Sequence, residues 1–202
     1  MSFYGAIRGI AGFLLWFPFK LEVEQRADWK PEQGYILAAN HQSFMDPIFL
    51  ALAIKDKKRR VSYMAKEELF RVPVLKSLIK KLGAFPVARG TGDTGAIDHA
   101  VDVVKNGGML GIFPEGTRHK DGKLHRLKSG AVVVASRTGG DLIPACILYG
   151  KRKFIRKPVK VIFGEPIENA SLGLDGISKS ALRAANRLLG ERIAELMGVE
   201  AP

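Results

Sequence analysis

A single cysteine, Cys146, stands among 202 residues, which excludes an intrachain disulfide and every multi-cysteine zinc motif and suits a reducing compartment. Histidines are scarce too. His99, His119 and His125 fall at no metal-ligand spacing and His41 has no HExxH context, so no metal centre is expected. Acidic residues are outnumbered: 20 Asp and Glu against 32 Lys and Arg leave a net charge of +12, a balance that attracts anionic lipid, phosphorylated small molecules or nucleic acid. The basic runs KDKKRR and KRKFIRKPVK read as solvated faces, with an anionic membrane or a phosphorylated donor as partner. They carry little aromatic interleaving and no recognition-helix signature, which argues against nucleic acid. Long apolar runs are also missing. The N-terminal stretch from Gly9 to Phe19 falls short of the roughly 20 residues a spanning helix needs, and Arg8 inside the segment, with no small-residue cleavage site after it, does not make a secretory signal. Two readings remain for it, a first helix packed on the core or one that dips Phe13, Leu14, Trp16 and Phe17 into lipid headgroups, and the aromatic cluster favours lipid.

What is present describes one globular domain. The chain is 47% hydrophobic and 26% charged, without internal repeats or low-complexity tracts, and its length suffices to bury roughly 70% of the unfolded surface. The apolar run from Tyr35 to Asn40 predicts a strand ending at HQSFMD, and Asp46-Pro47 reads as an N-cap with proline at the first helical position, opening a helix through IFLALAI. Strands are predicted at VSYMA, AFPVA, MLGIF, LIPACILYG and VKVIFG; helices at VLKSLIKKLG, AIDHAVDVVKNGG, KSGAVVVASRTGG and the tail from Lys179 to Met197. This alternation predicts a single α/β domain with a mostly parallel or mixed sheet flanked by helices, residues 1–20 forming a short apolar helix and 21–202 the remaining domain.

Ligands in open α/β sheets bind where strands end. His41 stands at such an end, with Asp46 five residues on. An imidazole can take a proton from a hydroxyl when a carboxylate on its other nitrogen fixes the ring and stabilises the imidazolium, although an N-cap beside a turn histidine would leave the same trace. Glu115, Thr117 and Arg118 follow the strand MLGIF directly, and Arg89 follows AFPVA. Guanidinium groups there can grip a phosphate with two hydrogen bonds. A competing pattern is Gly90-Thr91-Gly92-Asp93-Thr94-Gly95, a literal GxGxxG after a predicted strand with Glu115 20 residues beyond it, as in a dinucleotide-binding turn of NAD type. Asp93 beside a pyrophosphate and Arg89 just before the first glycine count against it. A third reading is a basic lipid or nucleic-acid binder without catalysis.

NHQSFMD, GAFPVAR, FPEGTR and LIPACI, in that order and spacing, resemble the four motif blocks of the glycerolipid acyltransferase family, whose best-known bacterial members acylate lysophosphatidic acid. The resemblance covers about Tyr35 to Ile147. It implies that His41 is the general base and Asp46 its orienting partner, that Arg89, Glu115, Gly116 and Arg118 help bind the glycerol phosphate of the acceptor, and that Pro144 belongs to the fourth block. It also implies an acyl thioester donor, acyl-CoA or acyl-carrier protein, with no further cofactor, a lysophospholipid acceptor such as 1-acylglycerol-3-phosphate, and a peripheral or monotopic position on the cytoplasmic face of an anionic membrane. Ala88 departs from the second block, where many relatives carry an acidic residue, and this bears on acceptor preference. Donors for a tetrahedral oxyanion are expected near Gly116, from backbone N–H groups or a nearby lysine.

Overall fold

A computed structural model describes residues 3–30, 32–56, 59–87, 94–152, 154–174 and 178–202. Seven strands form one sheet: β1 (Phe19–Gln25), β2 (Tyr35–Ala39), β3 (Val61–Lys66), β4 (Ala84–Val87), β5 (Met109–Ile112), β6 (Asp141–Tyr149) and β7 (Lys157–Phe163). Helices are α1 (Phe3–Trp16), α2 (Asp46–Ala53), α3 (Pro73–Lys81), α4 (Thr94–Lys105), α5 (Gly130–Thr138) and α6 (Lys179–Met197). The strand order is β1-β7-β6-β2-β5-β3-β4. All neighbours are parallel except β6 and β7, so β1 and β7 run against the other five. None of the described helices is long and apolar enough to cross a membrane.

Every residue of β2 is buried, as suits a central strand covered on both faces. Alternate side chains serve the two layers. Tyr35, Leu37 and Ala39 pack with Phe49, Leu50 and Ala53 of α2, whereas Ile36 and Ala38 join Ala100 and Val104 of α4, Ala131 and Ala135 of α5, and Leu189 and Ile193 of α6. The helices that follow the adjacent strands β2 and β5 thus leave to opposite faces. That divergence opens a crevice at the carboxyl ends of these strands, where ligands bind in such sheets.

Three expectations change. The charged segment after the N-terminal helix is a strand: β1 begins at Phe19, inside the first 20 residues, and pairs with β7 over its whole length. Leu21 packs on the core while Glu22 and Glu24 pair with Lys20 and Lys160, an alternation suited to an edge strand with charges that block further pairing. Asp46 is not a capping side chain. Met45 holds the N-cap position without a side-chain bond, because the Asp46 carboxylate turns back toward the preceding loop. Nor is KDKKRR wholly solvated: Arg59 is buried, its guanidinium stacked 5.1 Å from the Tyr35 ring centre and bonded to the Lys30 and Gln33 carbonyls. Lys57 and Lys58 lie outside the described residues.

The N-terminal helix is both packed and exposed. Arg8 donates to the carbonyl of Leu52 in the last turn of α2 (3.1 Å) and to that of the C-cap Ile54, satisfying carbonyls that a helix end leaves open, and reaches Asp56 O beyond it (3.3 Å). Tyr4 is buried, while Ile10, Phe13, Leu14, Trp16 and Phe17 face outward.

Candidate active site

Asn40 closes β2 by imitating a backbone unit. Its side chain accepts from Ile147 N (2.7 Å) and donates to Ile147 O (3.2 Å), so the β2–β6 ladder continues one residue past the strand and fixes where His41 emerges. His41 is then fastened twice to the loop after β5: its N–H donates to Glu115 Oε2 (2.7 Å) and its carbonyl accepts from His119 N (2.8 Å). The imidazole stacks on Phe113, ring centres 4.1 Å apart and planes inclined by 18°. The Tyr63 ring in turn lies nearly parallel to Phe113, ring centres 6.1 Å apart.

Nδ1 of His41 lies 2.8 Å from Asp46 Oδ2. The same oxygen accepts from the N–H groups of Gln42 and Ser43, both at 2.7 Å, and Oδ1 accepts from the Tyr149 hydroxyl at 2.5 Å. A fully buried carboxylate would be costly without such donors. Here three of them fix its plane, and the fourth contact holds the imidazole with Nε2 as the nitrogen left for a proton, the side chain retaining 14% exposure. Burial, and after it the bond to Asp46, pushes the Tyr149 phenol well above its ordinary value near 10.0, so it stays a donor.

Glu115 and Gly116 enter differently. Glu115 is buried, and its carboxylate is engaged by two backbone N–H groups, His41 through Oε2 and His125 through Oε1 (3.0 Å). It ties the histidine loop to the segment after β5, and no ribose contact is needed to explain it. Gly116 has φ +73, and a Cβ there would come within 2.9 Å of both Cε and Nζ of Lys128. Its N–H donates to Phe113 O, so of the two kinds of oxyanion donor expected near Gly116 its own N–H is occupied and the Lys128 ammonium is at hand. Thr117 and Arg118 are exposed at the rim, and the Arg118 guanidinium lies 3.2 Å over the centre of the Phe44 ring. Pro144 is within β6, opposite Ala38 of β2. Arg89, Ala88 and the stretch from Gly90 to Asp93 fall outside the described residues.

Sequence reasoning passed over Asn40, Tyr149, Phe44 and Lys128. Asn40 precedes the histidine in the quoted block and could have been found as a polar residue ending a buried strand. Tyr149 is 103 residues from Asp46, and only the pairing of β2 with β6 brings them together.

A family model described as Acyltransferase matches residues 20–148. The chain is 34% identical over 179 residues to the 1-acyl-sn-glycerol-3-phosphate acyltransferase of Bacillus subtilis, covering 87% of each. It is 32% identical over 172 residues to the protein of that name from Streptococcus pneumoniae, covering 82% of this chain and 63% of the relative. Its fold matches the crystal structure of the 1-acyl-sn-glycerophosphate acyltransferase from Thermotoga maritima with a TM-score of 0.69, at 24% identity, over 98% of this chain and 80% of that one. The matched stretch runs from β1 into β6 and so contains both the strand pair that delivers His41 and the loop that Glu115 ties to it: this chain belongs to the acyltransferase family.

Proposed function

We propose that the protein transfers a fatty acyl group from an acyl thioester, acyl-CoA or acyl-carrier protein, to the free hydroxyl of 1-acylglycerol-3-phosphate, giving phosphatidic acid. The observation that carries this reading is the 2.8 Å contact between His41 Nδ1 and the buried Asp46 carboxylate. With Nδ1 held, Nε2 accepts the proton of the acceptor hydroxyl as its oxygen attacks the thioester carbonyl. The tetrahedral intermediate then expels the thiolate, which takes that proton back from the imidazolium. The acceptor is its own nucleophile, so no acyl-enzyme forms. Cys146 is unsuited to that part: it is buried on the α6 side of the sheet, its thiol pushed up to about 12 by burial. Arg118, held over Phe44, and Arg89 are assigned to the acceptor phosphate.

The same reading places the protein on an anionic membrane at its cytoplasmic face, attached peripherally or monotopically. The strand directions support it. The turn between β6 and β7 and the junction of α1 with β1 lie at the sheet edge that carries His41. Exposed there are Phe13, Leu14, Trp16 and Phe17, together with Phe154 and Ile155, and Arg156 joins the two groups by stacking 5.0 Å from the Trp16 ring centre and bonding to Phe19 O (2.7 Å).

Release of free thiol from an acyl-CoA on addition of lysophosphatidic acid tests the chemistry. His41→Ala is expected to lower that rate about 100-fold to 10,000-fold while leaving the protein folded; near-normal turnover by this variant would refute the mechanism.

A further inference from the structure

Between the first half of α6 and the segment leading into α5 runs a groove of about 1020 Å³. Five cationic side chains line it, Arg126, Lys128, Lys179, Arg183 and Arg187, of which Arg187 pairs with Glu191 (3.6 Å); no acidic side chain is among the lining residues, and Ala201 and Pro202 also line it. Its apolar floor comes from Leu127, Leu182 and the flat surface of Gly190. Asn186 braces the wall by donating to Leu127 O (3.0 Å). One end reaches the active site, because Lys128 packs against Gly116, the neighbour of the Glu115 that holds His41.

We propose that this groove seats the phosphorylated carrier end of the acyl thioester donor. The inference rests on the acyl-transfer reading and adds to it a second, separate cationic site. Clustered cations over low-dielectric walls concentrate a polyanion, and an apolar floor suits an adenine ring or the methyl groups of a pantetheine arm. A bilayer is a poor occupant. Among the described residues the large exposed apolar side chains lie on α1, at Phe17, Val23, Phe44 and Val72, and on the β6–β7 turn, and none lines the groove. The acceptor phosphate is provided for elsewhere, at Arg118 over Phe44. The donor's phosphates thus meet α6 and the end of the loop after β5 that leads into α5, while the acceptor's meets Arg118 near the start of the same loop.

The test is the double variant Arg126→Gln, Arg183→Gln, which leaves Lys128 and the histidine loop unaltered. Steady-state kinetics are run on the full chain with lysophosphatidic acid and, in separate arms, a long-chain acyl-CoA and the corresponding acyl-carrier protein, with adenosine 3′,5′-bisphosphate as competitor. The variant is expected to raise the donor KM about 10-fold, with kcat and the acceptor KM within about twofold of the parent. A rise in the acyl-CoA arm with loss of inhibition by the bisphosphate identifies a nucleotide carrier, and a rise confined to the other arm identifies the carrier protein's phosphopantetheine. Unchanged donor KM in both arms, or a rise confined to the acceptor, overturns the groove while leaving the proposed function standing. Calorimetry with CoA reads binding apart from turnover: CoA bound by the parent and lost in the variant supports the groove even if no lysophospholipid is acylated, an outcome that would count against the acyl-transfer reading alone.

Discussion

Asp46 accepts four hydrogen bonds, and the one from Tyr149 is the contact that the sequence hides most completely. The phenol donates to Oδ1 at 2.5 Å and, with the two loop N–H groups, sets the plane in which the carboxylate meets His41 Nδ1. Tyr149→Phe is therefore expected to lower kcat about 10-fold to 100-fold, since a hydrogen bond to a charged group is worth about 1.5 to 3 kcal/mol, with both KM values within about twofold of the parent. Steady-state acyl transfer by a variant whose far-ultraviolet dichroism matches the parent checks this, and an unchanged kcat would show that the phenol does not position the carboxylate. Arg118 offers a second check. Its guanidinium rests on Phe44, an exposed cation–π contact worth about 0.5 to 1 kcal/mol, so Phe44→Ala should raise the acceptor KM about two- to fivefold and Arg118→Ala by more. Equal donor effects would reassign the arginine.

The loop after β5 is fastened to the histidine loop through one carboxylate, and this makes Glu115→Gln informative. An amide can accept through only one end, so either His41 N–H or His125 N–H loses its partner. Turnover is expected to fall at least 10-fold with the fold retained, as far-ultraviolet dichroism and an acyl-transfer assay would show together. Gly111 in β5 is different in kind. A Cβ there would stand 2.2 Å from Cε1 of Tyr63, whose ring packs across the strand, so Gly111→Ala should cost about 1 to 3 kcal/mol through overpacking, read as a lower urea midpoint. Six strands and the helices between them were legible from apolar runs and turn signals, because buried parallel strands write themselves as Val, Ile, Leu and Ala. β1 was not: an edge strand that alternates Leu21 and Val23 with Glu22 and Glu24 reads as a polar linker until its partner is known. His41 and Asp46 were legible because they are five residues apart. Asn40, Tyr149 and Lys128 act through pairings between distant segments, which no local spacing encodes.

The whole molecule carries an alkaline weakness. Burial raises the Cys146 thiol from an ordinary 9.0 to about 12 and lifts the phenols of Tyr63 and Tyr149 above their ordinary 10.0. An acid whose folded value is raised keeps its proton while the unfolded chain sheds it, so the stability it contributes is complete below the unfolded value and is lost as pH climbs toward the folded one. The urea midpoint is therefore expected to be insensitive to these groups up to pH 9 and to fall between pH 9 and 12. Each fully buried group contributes about 1.4 kcal/mol per pH unit, and Tyr149, which is half-buried, contributes less. Cys146→Ala should flatten the first part of that fall. A midpoint unchanged from pH 8 to 11 would contradict it.

Every residue pair in the β1–β7 register is 138 positions apart, as Phe19 with Lys157 and Gln25 with Phe163. During synthesis the first strand emerges long before the strand that receives it. At about 5 to 20 residues per second the wait is roughly 7 to 28 s, during which β2 to β6 can assemble but β1 has no edge to join. β1, made before β7, is among the last strands to be placed. Through that interval α1 is joined to an unpaired strand, so the membrane attachment proposed for its aromatic side chains would not have to wait for the sheet to be complete.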